Sequence, residues 1–218
     1  MMEYKDLPFI AGAMEAGQPN EELKAWAGVD SAPVVAANSS PPINRWNDIL
    51  LLLEELSPNK PLIPTEPDLR VQFWGIAHAI CAADGFGWNR RLDGLHRGAK
   101  VGFNPGRFGK KYGYTTESGE KAEYKSVQFM RYLSGVLKQQ REKGISYIIG
   151  NSVSAVDFYW AAFSNLVVLQ SPEACPVDDS IRERFENVSS KVVEAFDPIL
   201  RSHRDQIMSE YFKIPMEL

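Results

Sequence analysis

The sequence has only 2 cysteines, Cys81 and Cys175, and they have neither the spacing of a metal site nor that of a disulfide framework. No metal is therefore expected, a disulfide-stapled scaffold is excluded, and a reducing cytoplasm is the expected compartment. Long apolar runs are missing as well. Stretches such as Ile49–Leu53 fall far short of the ~20 residues that cross a bilayer. The first residues show no charged segment followed by an apolar one, so neither a membrane partner nor a leader peptide is expected. Positive charge is not in excess: a net charge of −4 and a pI near 5.5 argue against a general nucleic-acid binder but leave room for a local basic patch. What remains is 218 residues with 44% apolar content, enough for one large domain or two small ones with a sizeable core.

Helix signals dominate what is present. In Gly150–Phe158 the hydroxyl of Ser154 is placed to cap a helix, and the Asp157 carboxylate to reach back to the Ser154 N–H. Val153 and Phe158 have the spacing of a hydrophobic staple. The following Phe158–Leu169 is apolar nearly all round, which predicts a helix surrounded by others. Ile43–Leu56 repeats Trp46, Ile49, Leu50, Leu53 and Leu56 at helical steps. Further helices are expected over Glu21–Trp26 after Asn20, over Glu66–Leu92 with Thr65 and Asp68 as its cap, and over Glu120–Lys143. Two more follow, one from a Ser180–Glu183 capping box to Phe196 and one after Asp197–Pro198. Leu7–Ala11 and Ala32–Ala36 are strand candidates. Three prolines in Ser57–Pro64 tolerate neither helix nor central strand, so a boundary is expected there.

The pattern Gly-x-x-apolar-Ser-x-x-Asp at Gly150–Asp157 resembles the capping box of the glutathione transferase C-terminal domain, and the order of a small β-containing piece, a proline linker and a helical body resembles that family's architecture. The resemblance implies an α/β thioredoxin-like remnant over residues 1–57, a linker at 58–64 and an all-α helical bundle over 65–218. Ser31–Val35 is similar to the family's cis-proline segment, so Ala32 would pair its main chain with glutathione beside Pro33. Glutathione would be the co-substrate, the second substrate a small electrophile, and the assembly a homodimer.

The resemblance breaks in two places. Only 32 residues precede Pro33, and a βαβ unit needs ~30 or more, so the first strand and helix with the activating residue are expected to be missing and the N-terminal domain shortened. Tyr4 is a candidate substitute hydroxyl, or a packing residue. Where the family holds the γ-glutamyl end with an acid and a hydroxyl, this chain has Asn44-Arg45-Trp46-Asn47; Arg45 either pairs with a carboxylate or is a solvated helix-start residue.

Other candidate chemistry lies further along. His78 and Cys81, with Asp84 one turn on, would share a helix face, as a nucleophile with its base or as a buried cysteine beside a core histidine. Trp74, His78, Trp88 and Arg91 would line the electrophile's pocket. Residues 90–112 carry 7 basic residues (Arg90, Arg91, Arg97, Lys100, Arg107, Lys110, Lys111) against the single acid Asp93, with Phe103, Phe108 and Tyr112 interleaved. This is an anion-attracting surface or a solvated, mobile glycine-rich loop. A non-catalytic binding or structural protein is the rival to the enzyme.

Overall fold

Buried apolar residues cluster in two separate groups along the chain. In the computed structural model, which describes residues 1–14 and 18–216, the chain divides into two compact units, Met1–Ile63 and Pro64–Leu218.

The first unit opens on a turn over residues 1–6, in which the Lys5 N–H donates to the Met1 and Met2 carbonyls. It contains α1 (Glu21–Ala27) and α2 (Trp46–Leu56). The helix α2 exists because Ile49, Leu50 and Leu53 form a buried stripe, whereas α1 buries nothing. Lys5 is enclosed and donates to Glu54 Oε1 at 2.7 Å and to the Lys60 carbonyl at 2.7 Å, and the Glu54 carboxylate also accepts from the Leu62 N–H at 3.0 Å. The opening turn, α2 and the proline-rich stretch are thereby tied together.

The expected strands do not form. Among the described residues the only β pairing is an isolated bridge in which Val35 and Ile43 exchange N–H···O bonds of 2.8 Å each. Leu7–Ala11 is irregular, with Phe9 and Ile10 exposed. A strand needs a neighbour for its N–H and C=O groups, and Pro33, Pro41 and Pro42 remove donors on both sides of the bridge. Of the α/β expectation, the described residues of the first unit show two helices and one bridge.

The second unit is helical throughout: α3 (Pro67–Cys81), α4 (Phe86–Lys100), α5 (Gly106–Tyr112), α6 (Thr116–Glu142), α7 (Ala155–Phe163) with a short 3-10 turn at Ser164–Leu166, α8 (Asp179–Glu186), α9 (Ser190–Ala195) and α10 (Pro198–Tyr211). Its centre is α7, packed against α3 and α10. The buried Trp160 lies 5.4 Å from the Phe86 ring and 6.1 Å from that of Phe196, and its indole N–H donates to the Leu200 carbonyl at 3.2 Å. Phe73 and Ile80 of α3, Met130, Leu133 and Leu137 of α6, and Leu200 and Ile207 of α10 complete the core.

The cap of α7 forms as its residues predict. Ser154 and Asp157 make a capping box, and Asp157 Oδ2 accepts from the Ser154 N–H and hydroxyl at 2.8 Å each. Oδ1 accepts from the Ile148 N–H at 2.9 Å and lies 3.0 Å from His203 Nε2 on α10. One fully buried carboxylate therefore starts α7, fastens the preceding turn and meets the last helix.

Three expectations change. The single helix over Glu66–Leu92 is two, because Asp84 takes a left-handed conformation (φ 65°) between α3 and α4. Glu66, not Thr65, is the N-cap of α3 and makes no side-chain cap bond, while Pro67 occupies the first turn. Ser180 is not a cap either: α8 starts after Asp178, and a separate α9 starts after Ser189, whose hydroxyl accepts from the Val192 N–H.

Candidate functional site

In the first unit, the bridge between Val35 and Ile43 folds the chain back so that the Ala32–Pro33 segment leads in and the start of α2 follows two residues after Ile43. The Ala32–Pro33 peptide bond is cis. Both residues are exposed, and among the described residues the Ala32 main chain makes no hydrogen bond. An exposed N–H and C=O without a main-chain partner can serve as a template for the main chain of a peptide ligand. Arg45, the exposed N-cap of α2, makes no side-chain cap bond. Its guanidinium puts a positive charge at that helix start. The helix end itself attracts anions less than an uncharged one, because Asp48 already sits in its first turn. Tyr4 lies in the opening turn under the Lys60 ammonium, 5.6 Å from its ring centroid.

In the second unit the predicted pocket residues fall into two groups. On α3, the His78 ring Nδ1 lies 3.2 Å from the Trp74 carbonyl, and the Trp74 ring stands edge-on to Phe73 at 5.1 Å. On α4, the Trp88 indole N–H donates to the Tyr112 carbonyl at 3.0 Å, and the two rings meet edge-on at 5.0 Å. The Arg91 guanidinium sits over both the Tyr112 and the Phe163 rings, 5.6 Å from each, and donates to the Gly87 carbonyl at 2.8 Å. Trp88 and Arg91 therefore share one aromatic cluster.

Two of its members, Phe163 and Gly87, escape sequence reasoning. A Cβ on Gly87 would come within 2.3 Å of the Phe163 ring, so a glycine is required there for α7 to bring that ring to Arg91. Its only trace in the sequence is one more glycine near a turn.

Cys81 ends α3 and is largely enclosed, and burial pushes its thiol well above the ordinary range. A nucleophile needs the opposite, since the thiolate is the reactive form. The expected His78–Cys81–Asp84 face is corrected at its third member. Asp84 stands in the turn beyond the helix and pairs with Lys125 of α6 at 2.6 Å.

The basic run is partly absorbed by the fold. Arg90 is buried against Asp93 at 2.6 Å and bonds the Leu166 carbonyl, and Arg97 donates to Asn187. Lys100, Arg107, Lys110 and Lys111 remain exposed. Much of the run is helical: Gly98 stands in α4 and Gly106 and Gly109 in α5, while Gly102 and Gly113 lie just beyond the helix ends.

No protein-family model and no curated protein matches the sequence. Solved structures do match. A glutathione S-transferase from Methylobacterium radiotolerans, solved in complex with glutathione sulfonate, superposes with a TM-score of 0.62 at 14% identity, over 97% of this chain and 83% of that one. A glutathione S-transferase from the hookworm Necator americanus, described as monomeric, matches at 0.50 and 16% identity, over 88% of this chain and 75% of that one. The chain has a glutathione S-transferase-like fold. Within that fold, no helix among the described residues is long and apolar enough to cross a membrane, and no group of three or more His, Cys, Asp or Glu side chains is arranged to hold a metal ion.

Proposed function

We propose that this transferase-like protein binds glutathione through its first unit and presents it to a small electrophile. The likeness in fold to a transferase solved with glutathione sulfonate carries this reading. In it, the open main chain of Ala32 beside Pro33 pairs with the extended backbone of the tripeptide, and Arg45 meets one of its carboxylates. The aromatic and cationic side chains Trp74, His78, Trp88 and Arg91 contribute to electrophile binding. Residues 1–57 then correspond to a shortened thioredoxin-like domain, 58–64 to a linker and 65–218 to the helical domain. A homodimer and a cytoplasmic location belong to the same reading, and light scattering on the eluting protein tests the first of these.

Calorimetric titration with glutathione, followed on the same sample by turnover of 1-chloro-2,4-dinitrobenzene, is the deciding experiment. Saturable binding is expected, weakened severalfold in Arg45→Gln by loss of one charge-assisted contact; absence of any heat sinks the proposal. A second reading, a binding protein without turnover, is favoured by the state of Cys81, whose thiol is driven away from ionisation. Binding without product selects it.

A further inference from the structure

Between α6 and α9, which pack against each other, lies an open cavity of about 210 Å³ that the glutathione reading does not use. The buried side chain of Val127 is part of its lining. The volume is enough for several waters and falls below the ~300–1,000 Å³ of pockets that take drug-sized ligands. It suits a molecule the size of one amino acid.

The polar lining divides into engaged and open groups. Glu123 of α6 is engaged: its carboxylate lies 3.5 Å from Lys191 Nζ of α9, and the Ser189 hydroxyl foremost, then Lys191 and Arg97, hold its carboxyl below the ordinary range. Because Ser189 is also the N-cap of α9, this contact fastens one helix to the other. Tyr124, Gln128, Arg131 and Glu194 are open. All four are exposed, and none forms a side-chain hydrogen bond or ion pair with another described residue. Arg131 offers the planar donors that match a carboxylate, and Glu194 accepts from an ammonium. Single exposed charges contribute little, but here both signs border one concavity that also has an apolar wall.

We propose that this cavity binds a free α-amino acid with an apolar side chain. Its charged lining, Glu123 and Glu194 against Arg131 and Lys191, is balanced, so neither a lone anion nor a lone cation is favoured by the local field. A zwitterion answers both open charges at once, its carboxylate meeting Arg131 and its ammonium meeting Glu194. The terminus of a longer peptide carries only one of the two charges and leaves the other open group unanswered. Val127 and the ring of Tyr124 supply apolar surface for the ligand's side chain. Gln128 adds an amide that both donates and accepts.

The test is an amide-resolved NMR titration of the isotope-labelled full chain with L-leucine, with 4-methylpentanoate, which lacks the ammonium, and with 3-methylbutylamine, which lacks the carboxylate. Leucine should give saturable shifts at the amides of residues 124–131 and 191–194, with a dissociation constant in the millimolar range open to so small a ligand. Each analogue should bind about fivefold more weakly, the upper end for exposed ion pairs. Glu194→Gln should erase leucine's advantage over 4-methylpentanoate, and Arg131→Gln its advantage over 3-methylbutylamine. Neither side chain bonds another described residue, so thermal melts of both variants should match wild type and separate lost binding from lost fold. Absence of saturable shifts with leucine up to its solubility limit overturns the proposal. So do shifts centred outside α6 and α9, equal binding of either analogue, and leucine binding that both variants leave intact. None of these readouts uses glutathione or a residue of the first unit, so this proposal and the functional one fail independently.

Discussion

The two units solve the same problem by different physics. Pro64–Leu218 surrounds Trp160 with side chains drawn from α3, α4, α6, α9 and its neighbouring turn, and α10, an apolar core assembled from residues far apart in the chain. Met1–Ile63 has one buried helical stripe, Ile49, Leu50 and Leu53, joined by Leu62 and Ile63, and its opening turn is tied down by the charged Lys5–Glu54 contact. Where little apolar surface is available, a short polar clamp supplies the closure. The second unit buries polar groups as well, and one of them, Asp157, accepts hydrogen bonds from Ile148 and Ser154 inside that core.

This contrast can be broken by substitution. Asp157→Ala removes the acceptor of two buried N–H groups, Ile148 and Ser154, and should cost about 3 kcal/mol or more, since each orphaned donor costs 1–3. Urea unfolding followed by tryptophan fluorescence measures it, and a loss under about 1 kcal/mol would show that the α7 cap is not central. Lys5→Met should cost about 2 kcal/mol by deleting a charge-assisted bond. Here the loss should be local, so hydrogen exchange should accelerate in α2 while the α7 amides keep their protection. Acceleration in both would mean that the clamp serves the whole chain.

The smallest effect sharpens the picture at a helix end. Asp197 caps α10, accepting from the Ile199 N–H at 3.0 Å, and pairs with Lys138 and Ser134 of α6. The hydrogen bond from Lys138 foremost, then that from Ile199, holds its carboxyl below the ordinary 3.8. The folded state then binds fewer protons than the unfolded one around that pH, so the contribution is fully present above the ordinary value and is lost as pH falls through the lowered one. Asp197→Ala should cost about 1 kcal/mol near neutrality, and the gap to wild type should close on acidification. A gap independent of pH would assign the effect to geometry alone.

Legibility in the sequence followed the range of the interaction. The α7 start at Ser154–Asp157 and the α10 start at Asp197–Pro198 formed as their residues predict because each partner lies within a few positions. The capping box of α6, in which Thr115 and Ser118 bond reciprocally, was missed because serine stands where a longer acid or amide is usual. Gly119 shows a second limit of local reading. A Cβ on Gly119 would meet His96 at 2.6 Å, so that glycine marks a close approach of α6 to α4 and not mobility. At the candidate site, the exposed Ala32–Pro33 segment was legible through family resemblance, whereas the Arg91–Tyr112–Phe163 cluster was not, since Phe163 comes from a helix more than 70 positions away.

The amino-acid order by itself determined the helical character of residues beyond the proline-rich stretch, several helix starts and the concentration of cations over residues 90–112, because these depend on local spacing, capping and composition. Tertiary structure alone decided which cations are buried, which glycines are contacts, whether the short apolar stretches of the first unit become strands, and that the Cys81 thiol is desolvated. Each of these is set by what lies across space from the residue, and neighbours in sequence carry no record of that.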